Sequence, residues 1–166
     1  MLKDTFTFLI QRHQEKMLPT LLTDMREDQL ADQPIAGMNH PAWILGHLLT
    51  FEHRIAGDIM HRPLQVSLDA DWLEVYGIGS TPKSQRRLYK SREFYMTALQ
   101  ETAAQIAAYI AEKSDADLEA PNPDPQFSSA LPTMAKLLGA AVTHRAYHSG
   151  QLAIWRKAMG LPHVGM

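Results

Sequence analysis

The chain has 166 residues, 45% of them hydrophobic and 20% charged, which suits one globular domain spanning residues 1–166 with a substantial core. A formal charge of −2 gives no electrostatic footprint for nucleic acid or an anionic membrane surface. The sequence contains no cysteine, which excludes disulfides, thiolate metal sites and cysteine nucleophiles, so any metal must be held by histidine or carboxylate.

The N-terminal run MLKDTFTFLIQRHQEK interrupts its apolar residues with Asp4, Gln11, Arg12 and Glu15, so no signal-peptide core forms. No apolar run approaches the roughly 18 residues that a membrane span needs. A cytoplasmic setting is therefore expected. Four long segments then carry helical periodicity, separated by loops rich in Pro, Gly and Asp. The first, about 2–25, puts Leu2, Phe6, Leu9, His13 and Met17 at three- and four-residue steps, with Pro19 expected to kink it or tighten its last turns. After the loop REDQLADQPIAGM, Asn39 can cap a second helix with Pro41 in its first turn and Ile44, Leu48, Phe51 and Ile55 as its apolar stripe. Residues 61–83 show no sustained period and read as packed loop with short turns. A third helix over about 84–113 carries Leu88, Tyr95, Leu99, Ile106 and Tyr109. The segment SDADLEAPNPDPQFSSALP, with four prolines and four acidic residues, forbids its continuation. The fourth helix, about 132–159, stops at Gly160-Leu161-Pro162. No strand-type alternation is long enough for a sheet. The pattern predicts an all-α four-helix bundle with long connections between helices one and two and between two and three.

In the fourth helix, Leu137, Ala141, His144, His148, Gln151 and Trp155 follow alternating four- and three-residue steps, so both histidines lie on the inward seam. Residues at i and i+4 have Cβ atoms roughly 6 Å apart, close enough for two imidazoles to hold one metal ion. Two core histidines bonded to their neighbours are the plainer alternative. In the second helix, NHPAWILGHLLTFEH sets His47 one residue off the apolar stripe, so it too can point inward. A pair on one helix and a third histidine on another is the minimal set for a three-nitrogen site that leaves coordination positions open.

NHPAWILGHL and HRAYHSGQLAIWRKAMGLP resemble the two signatures of the DinB/YfiT-like superfamily, compact metal-binding four-helix proteins. MREDQLADQPIAGMN and the helix lengths fit the same pattern, so the likeness covers essentially the whole chain. Its most specific part is His-x-x-x-His-x-Gly-Gln-Leu ending in Arg and Gly-Leu-Pro. The resemblance implies metal ligands at His47, His144 and His148, and a metal-dependent S-transferase using a small thiol such as mycothiol or bacillithiol. Two further readings stay open: a metal-dependent hydrolase, and a non-catalytic, stress-related metal-binding or interaction protein. Open coordination favours catalysis, while the lack of an obvious acid or base beside the triad favours the non-catalytic reading. One divalent ion is expected, zinc or nickel first, with iron or manganese as alternatives.

Other residues carry weaker signals. His13 could approach the site as a fourth ligand or base, or be a satisfied core histidine. His40, His53, His61 and His163 read as solvated. Gln151 could orient a ligand or make an interhelical bond. Gly150 suggests close approach of a backbone or ligand, and Trp43 a core wall. Glu52 lies too far round its helix from His47 to be assigned a ligand role. KSQRRLYKSR, from Lys83 to Arg92, puts five cations at the expected start of the third helix, either as a solvated turn or as an anion-binding mouth with Arg92 directed inward. Ala103, Ala104, Ala107, Ala108 and Ala111 spread round the third helix, and that face, with the family resemblance, predicts a homodimer.

Overall fold

A computed structural model describes residues 1–165. Helix α1 runs Leu2–Arg12, widens into a π-helical turn at His13–Met17, and continues as Leu18–Leu22. Proline at position 19 lacks an N–H and crowds the carbonyl one turn earlier, so the ladder is disturbed just before it. The expected kink is realised as this widened turn, which brings two consecutive residues, His13 and Gln14, into the core.

Helix α2 spans Pro41–His53 and passes into a second π-helical segment, Arg54–Ile59. Its cap is His40 rather than Asn39. The Trp43 backbone N–H donates to His40 Nδ1 at 3.2 Å, so the ring proton sits on Nε2 and is donated to the Lys83 carbonyl at 3.0 Å. His40 is thus fully buried rather than solvated. His53 is half-buried against the Val66 carbonyl, while His61 and His163 are exposed as expected.

The long connection after α2 contains the short helix α3, Trp72–Tyr76. Helix α4 spans Arg92–Ala111, starting later than its periodicity suggests because Ser91 supplies the cap, accepting from Phe94 N–H at 3.1 Å. The preceding residues are held off the helix by Arg86, whose guanidinium donates to the carbonyls of Glu27, Tyr89 and Lys90. Leu88 is exposed there, and most of the basic run lies in a loop instead of opposing a helix dipole. A one-turn helix α5, Asp115–Leu118, has a capping box at Ser114. Helix α6 spans Met134–Ala158 with Thr133 as its cap.

Helices α1 and α2 each pack against both α4 and α6 and so lie diagonally across the bundle. Met1 meets Asp115 beyond the far end of α4, whereas Arg92 at its start reaches the carbonyls of Leu22 and Met25, so α1 and α4 are antiparallel. Contacts from His13 to Ser149 and from Arg156 to Leu21 make α1 and α6 parallel. Those from Asn39 to Gln151 and from Arg145 to Glu52 make α2 antiparallel to α6. The order is therefore up, down, down, up. Only an isolated bridge, Pro121–Thr133, interrupts the helical pattern among the described residues. None of the described helices is long and apolar enough to cross a membrane.

The core has two apolar halves. One gathers around Trp43, Leu45, Tyr95 and Trp155, the other around Ile10, Ile55, Ile106 and Leu137. At the intermediate level of each long helix sits a buried polar residue: His13 and Gln14 on α1, Glu52 on α2, Thr102 on α4, Arg145 and Ser149 on α6.

Burial lowers His13 to a pKa of about 3 and His40 to about 4, while in the unfolded chain both titrate near the ordinary value of 6.5. Between pH 4.5 and 6.5 the unfolded chain therefore binds more protons, and stability falls as pH falls through that window. Urea unfolding of metal-free protein should show a midpoint declining from pH 7 to pH 4.5, with a shallower decline in His40→Asn. A flat profile over that range would contradict the buried neutral state of these rings.

Candidate metal centre

Beside the polar layer, His47 from α2 meets His144 and His148 from α6, with one ring nitrogen from each lying within 4.8 Å of the others. The Nε2 atoms of His144 and His148 face one another at 3.1 Å. Two of the three rings are oriented from outside. His47 Nδ1–H donates to the Tyr76 carbonyl at 2.7 Å, and His148 Nδ1–H donates to Gln151 Oε1 at 2.9 Å. Gln151 Oε1 also accepts from Asn39 Nδ2 at 3.1 Å, which ties the start of α2 to α6. These partners fix the tautomers so that Nε2 of both rings is left for a ligand, the usual arrangement around metal-bound histidine. His144 Nδ1 is buried without a hydrogen-bond partner.

Burial keeps all three rings neutral. It lowers His144 to about 3, helped by His148, His47 and Arg145, and lowers His148 to about 4; His47 is lowered as well. Neutral imidazole is the form that binds divalent ions, so the donor set fits zinc, nickel, iron or manganese in chemical type.

Tyr76 reaches His47 because residue 46 is glycine. A Cβ there would lie 2.2 Å from the Tyr76 ring. The ring is held in place by its hydroxyl, 2.5 Å from the Tyr95 hydroxyl, and by Trp72, whose Nε1–H donates to Thr50 Oγ1 at 2.8 Å. Trp43 stacks on His47 with ring centroids 4.6 Å apart, forming the wall that its sequence position suggested.

A cleft of about 700 Å³ opens beside the triad, with His47 and His144 in its wall. Its other walls come from α2 and the segment after it, from α6, and from the connections that follow α2 and α4: Thr50, Phe51 and Arg54, Ala140, Thr143 and Tyr147, Leu73, Gly77 and Ile78, Gln126 and Phe127.

A family model of the DinB superfamily matches residues 10–152, which contain all three histidines. The chain belongs to the DinB superfamily. Its fold is similar to that in the crystal structure of the conserved protein of locus from Enterococcus faecalis, with a TM-score of 0.71 over 95% of this chain and 96% of that one. At 16% identity that likeness concerns the fold alone. No curated protein matches the chain.

Within this DinB-superfamily fold, several expected site residues are placed elsewhere. His13 does not join the triad: its Nδ1 accepts from Arg145 at 2.9 Å and its Nε2–H donates to Ser149 Oγ at 2.8 Å, as a satisfied core histidine. Arg92 binds main-chain carbonyls at the end of α1 and does not line the cleft, so the basic run forms no mouth for the triad. Gly150 faces open space, not a close neighbour. Gln151 makes both of its considered bonds, one to a triad histidine and one between helices.

Arg145 is a further buried group that the helical period does not single out. One residue beyond His144, it turns into the bundle, pairs with Glu52, and is only 3% exposed against 1% for the carboxylate. Burial pushes the Glu52 carboxyl up, opposed by Arg145 and by the Thr102 hydroxyl at 3.2 Å. Removing one partner of such a buried pair leaves an uncompensated charge, at a cost of about 3–5 kcal/mol. Arg145→Met should lose that much in urea unfolding. A loss below about 1 kcal/mol, the scale of an exposed pair, would contradict the buried placement.

Proposed function

We propose that this chain holds one divalent ion, zinc or nickel, on His47, His144 and His148, and is an enzyme that transfers a small thiol to an electrophile. The observation that carries the proposal is the convergence of three neutral imidazoles, two of them in the wall of a mostly apolar cleft. Three nitrogen ligands leave coordination positions open, which suits chemistry more than scaffolding. When bound, such an ion supplies Lewis acidity that favours the ionised form of a thiol at neutral pH.

The protein's own groups have separable parts in this reading. The Tyr76 carbonyl and Gln151 hold two rings by their outer nitrogens, so the ligand edge is preset before binding. Trp43 stacks on the face of His47, and Phe51 meets His144 in a T-shaped contact on the cleft side. Among the described residues the cleft lining contains no carboxylate. Hydrolysis commonly uses a protein base to activate water, whereas an ionised thiol attacking an electrophile with a good leaving group needs none. That supports transfer over hydrolysis. A homodimer belongs to the same reading, supported by the exposure of Ala104, Ala108 and Ala111 on α4.

Zinc-loaded, untagged protein should be assayed with glutathione, bacillithiol and mycothiol against 1-chloro-2,4-dinitrobenzene. Turnover with at least one thiol, abolished by chelation and restored by zinc, is the expected result. Turnover that survives chelation would remove the mechanism, and none with any thiol would favour a non-catalytic metal-binding protein.

A further inference from the structure

Apart from the triad rings and Tyr147, the polar side chains in the cleft wall make hydrogen bonds within the protein. Thr50 Oγ1 donates to the Gly46 carbonyl at 2.9 Å and accepts from Trp72 Nε1 at 2.8 Å. Thr143 Oγ1 turns back to its own helix, 3.1 Å from the Gly139 carbonyl and 3.0 Å from that of Ala140. Among the described residues Arg54 is the one cation of the lining, and it is neutralised: Nε and Nη2 donate to the two Asp124 oxygens at 2.6 and 2.9 Å, and Nη1 donates to Gln126 Oε1 at 2.5 Å. Asp124 is itself buried, so the pair is a built element of the wall.

Beyond the triad rings and the Tyr147 hydroxyl, what faces the cavity is apolar. Phe51 and Phe127 meet edge to face, with centroids 5.6 Å apart. Leu73, Ile78 and Tyr147 stand 68%, 81% and 66% exposed around the mouth. Large apolar side chains gathered at one opening mark a binding surface, and the volume of about 700 Å³ is that of a small-molecule site.

We propose that this cleft binds a neutral, largely aromatic molecule, the electrophilic partner of the thiol. The proposal rests on the reading of the triad as a catalytic centre for its second clause, but the ligand class follows from the lining alone. With no ion on the triad, a charged ligand would leave water for a wall that offers no free counter-charge among the described residues, and that transfer is costly. An arene keeps its hydrophobic gain and finds ring edges and faces to pack on.

The test uses two fluorescent probes that differ by one charge, N-phenyl-1-naphthylamine and its 8-sulfonate, titrated into protein freed of metal by chelator, so that no bound ion's charge enters the comparison. The neutral probe should bind about tenfold or more tightly than the sulfonate. Thr143→Trp, at an exposed position whose hydroxyl bonds only its own helix, should fill the cleft and raise the neutral probe's Kd about tenfold. Phe127→Ala should raise it as well, by removing one aromatic wall. Equal or tighter binding of the sulfonate would overturn the proposed ligand class, and an unchanged Kd in both variants would overturn the site. Probe binding does not depend on turnover, so the two proposals can fail separately. Selective binding without thiol transfer would sink the enzymatic reading and leave this ligand class standing. Thiol transfer to a neutral arene with kcat/KM unaltered in Thr143→Trp would sink the site alone.

Discussion

Arg145 and Glu52 face each other in the middle of the bundle, and each is almost wholly removed from water. Neither charge can be left alone there, so α2 and α6 must be aligned to let them meet. The same alignment governs the candidate centre, because His144 immediately precedes Arg145 and His47 stands five residues before Glu52. The Arg145 guanidinium also reaches His13 on α1, and Glu52 accepts from Thr102 on α4, so all four long helices meet at this level. A core built only of Leu, Ile and Ala tolerates shifts of packing, whereas hydrogen-bonded groups in a low dielectric do not. The two apolar halves above and below supply the hydrophobic driving force. The polar layer between them supplies the register.

The irregular backbone lies next to these groups. The π-helical turn His13–Met17 lets consecutive side chains His13 and Gln14 face inward, which an ordinary helix at 100° per residue achieves less readily. A second such segment begins at Arg54, whose guanidinium holds the 121–131 region through Asp124 and Gln126 and thereby sets Phe127 against Phe51. On the other side, Gly46 admits the Tyr76 ring, and the carbonyl of that residue orients His47. The long connections thus build both the outer support of the triad and the walls of the cleft.

The helices and the triad were legible in the sequence because both express the helical period. Seam spacing put His144 and His148 together, and the stripe of α2 brought His47 to the same side. What could not be read was anything fixed by a partner distant in sequence. The place of His40 at a helix start suggests exposure, yet its cap and its bond to the Lys83 carbonyl go with complete burial. Arg92 was drawn inward by the same period that served the histidines, but the main-chain carbonyls ending α1 captured it. Arg145 carried a faint signal, a cation in a helix whose neighbouring turns are apolar or histidine. Its meaning depended on Glu52, 93 residues away. The cleft was invisible, since Leu73, Ile78 and Phe127 lie in connections without periodicity.

Neutral imidazoles from two helices, whose register a buried ion pair sets, form the proposed site for one divalent ion. Metal content of untagged protein purified without chelator tests it most directly, with the His47→Ala/His144→Ala/His148→Ala variant compared at matched helicity. The account predicts close to one equivalent of a divalent transition metal per wild-type chain and almost none in the variant. Equal, near-zero metal in both, persisting after dialysis against zinc and nickel, would contradict it.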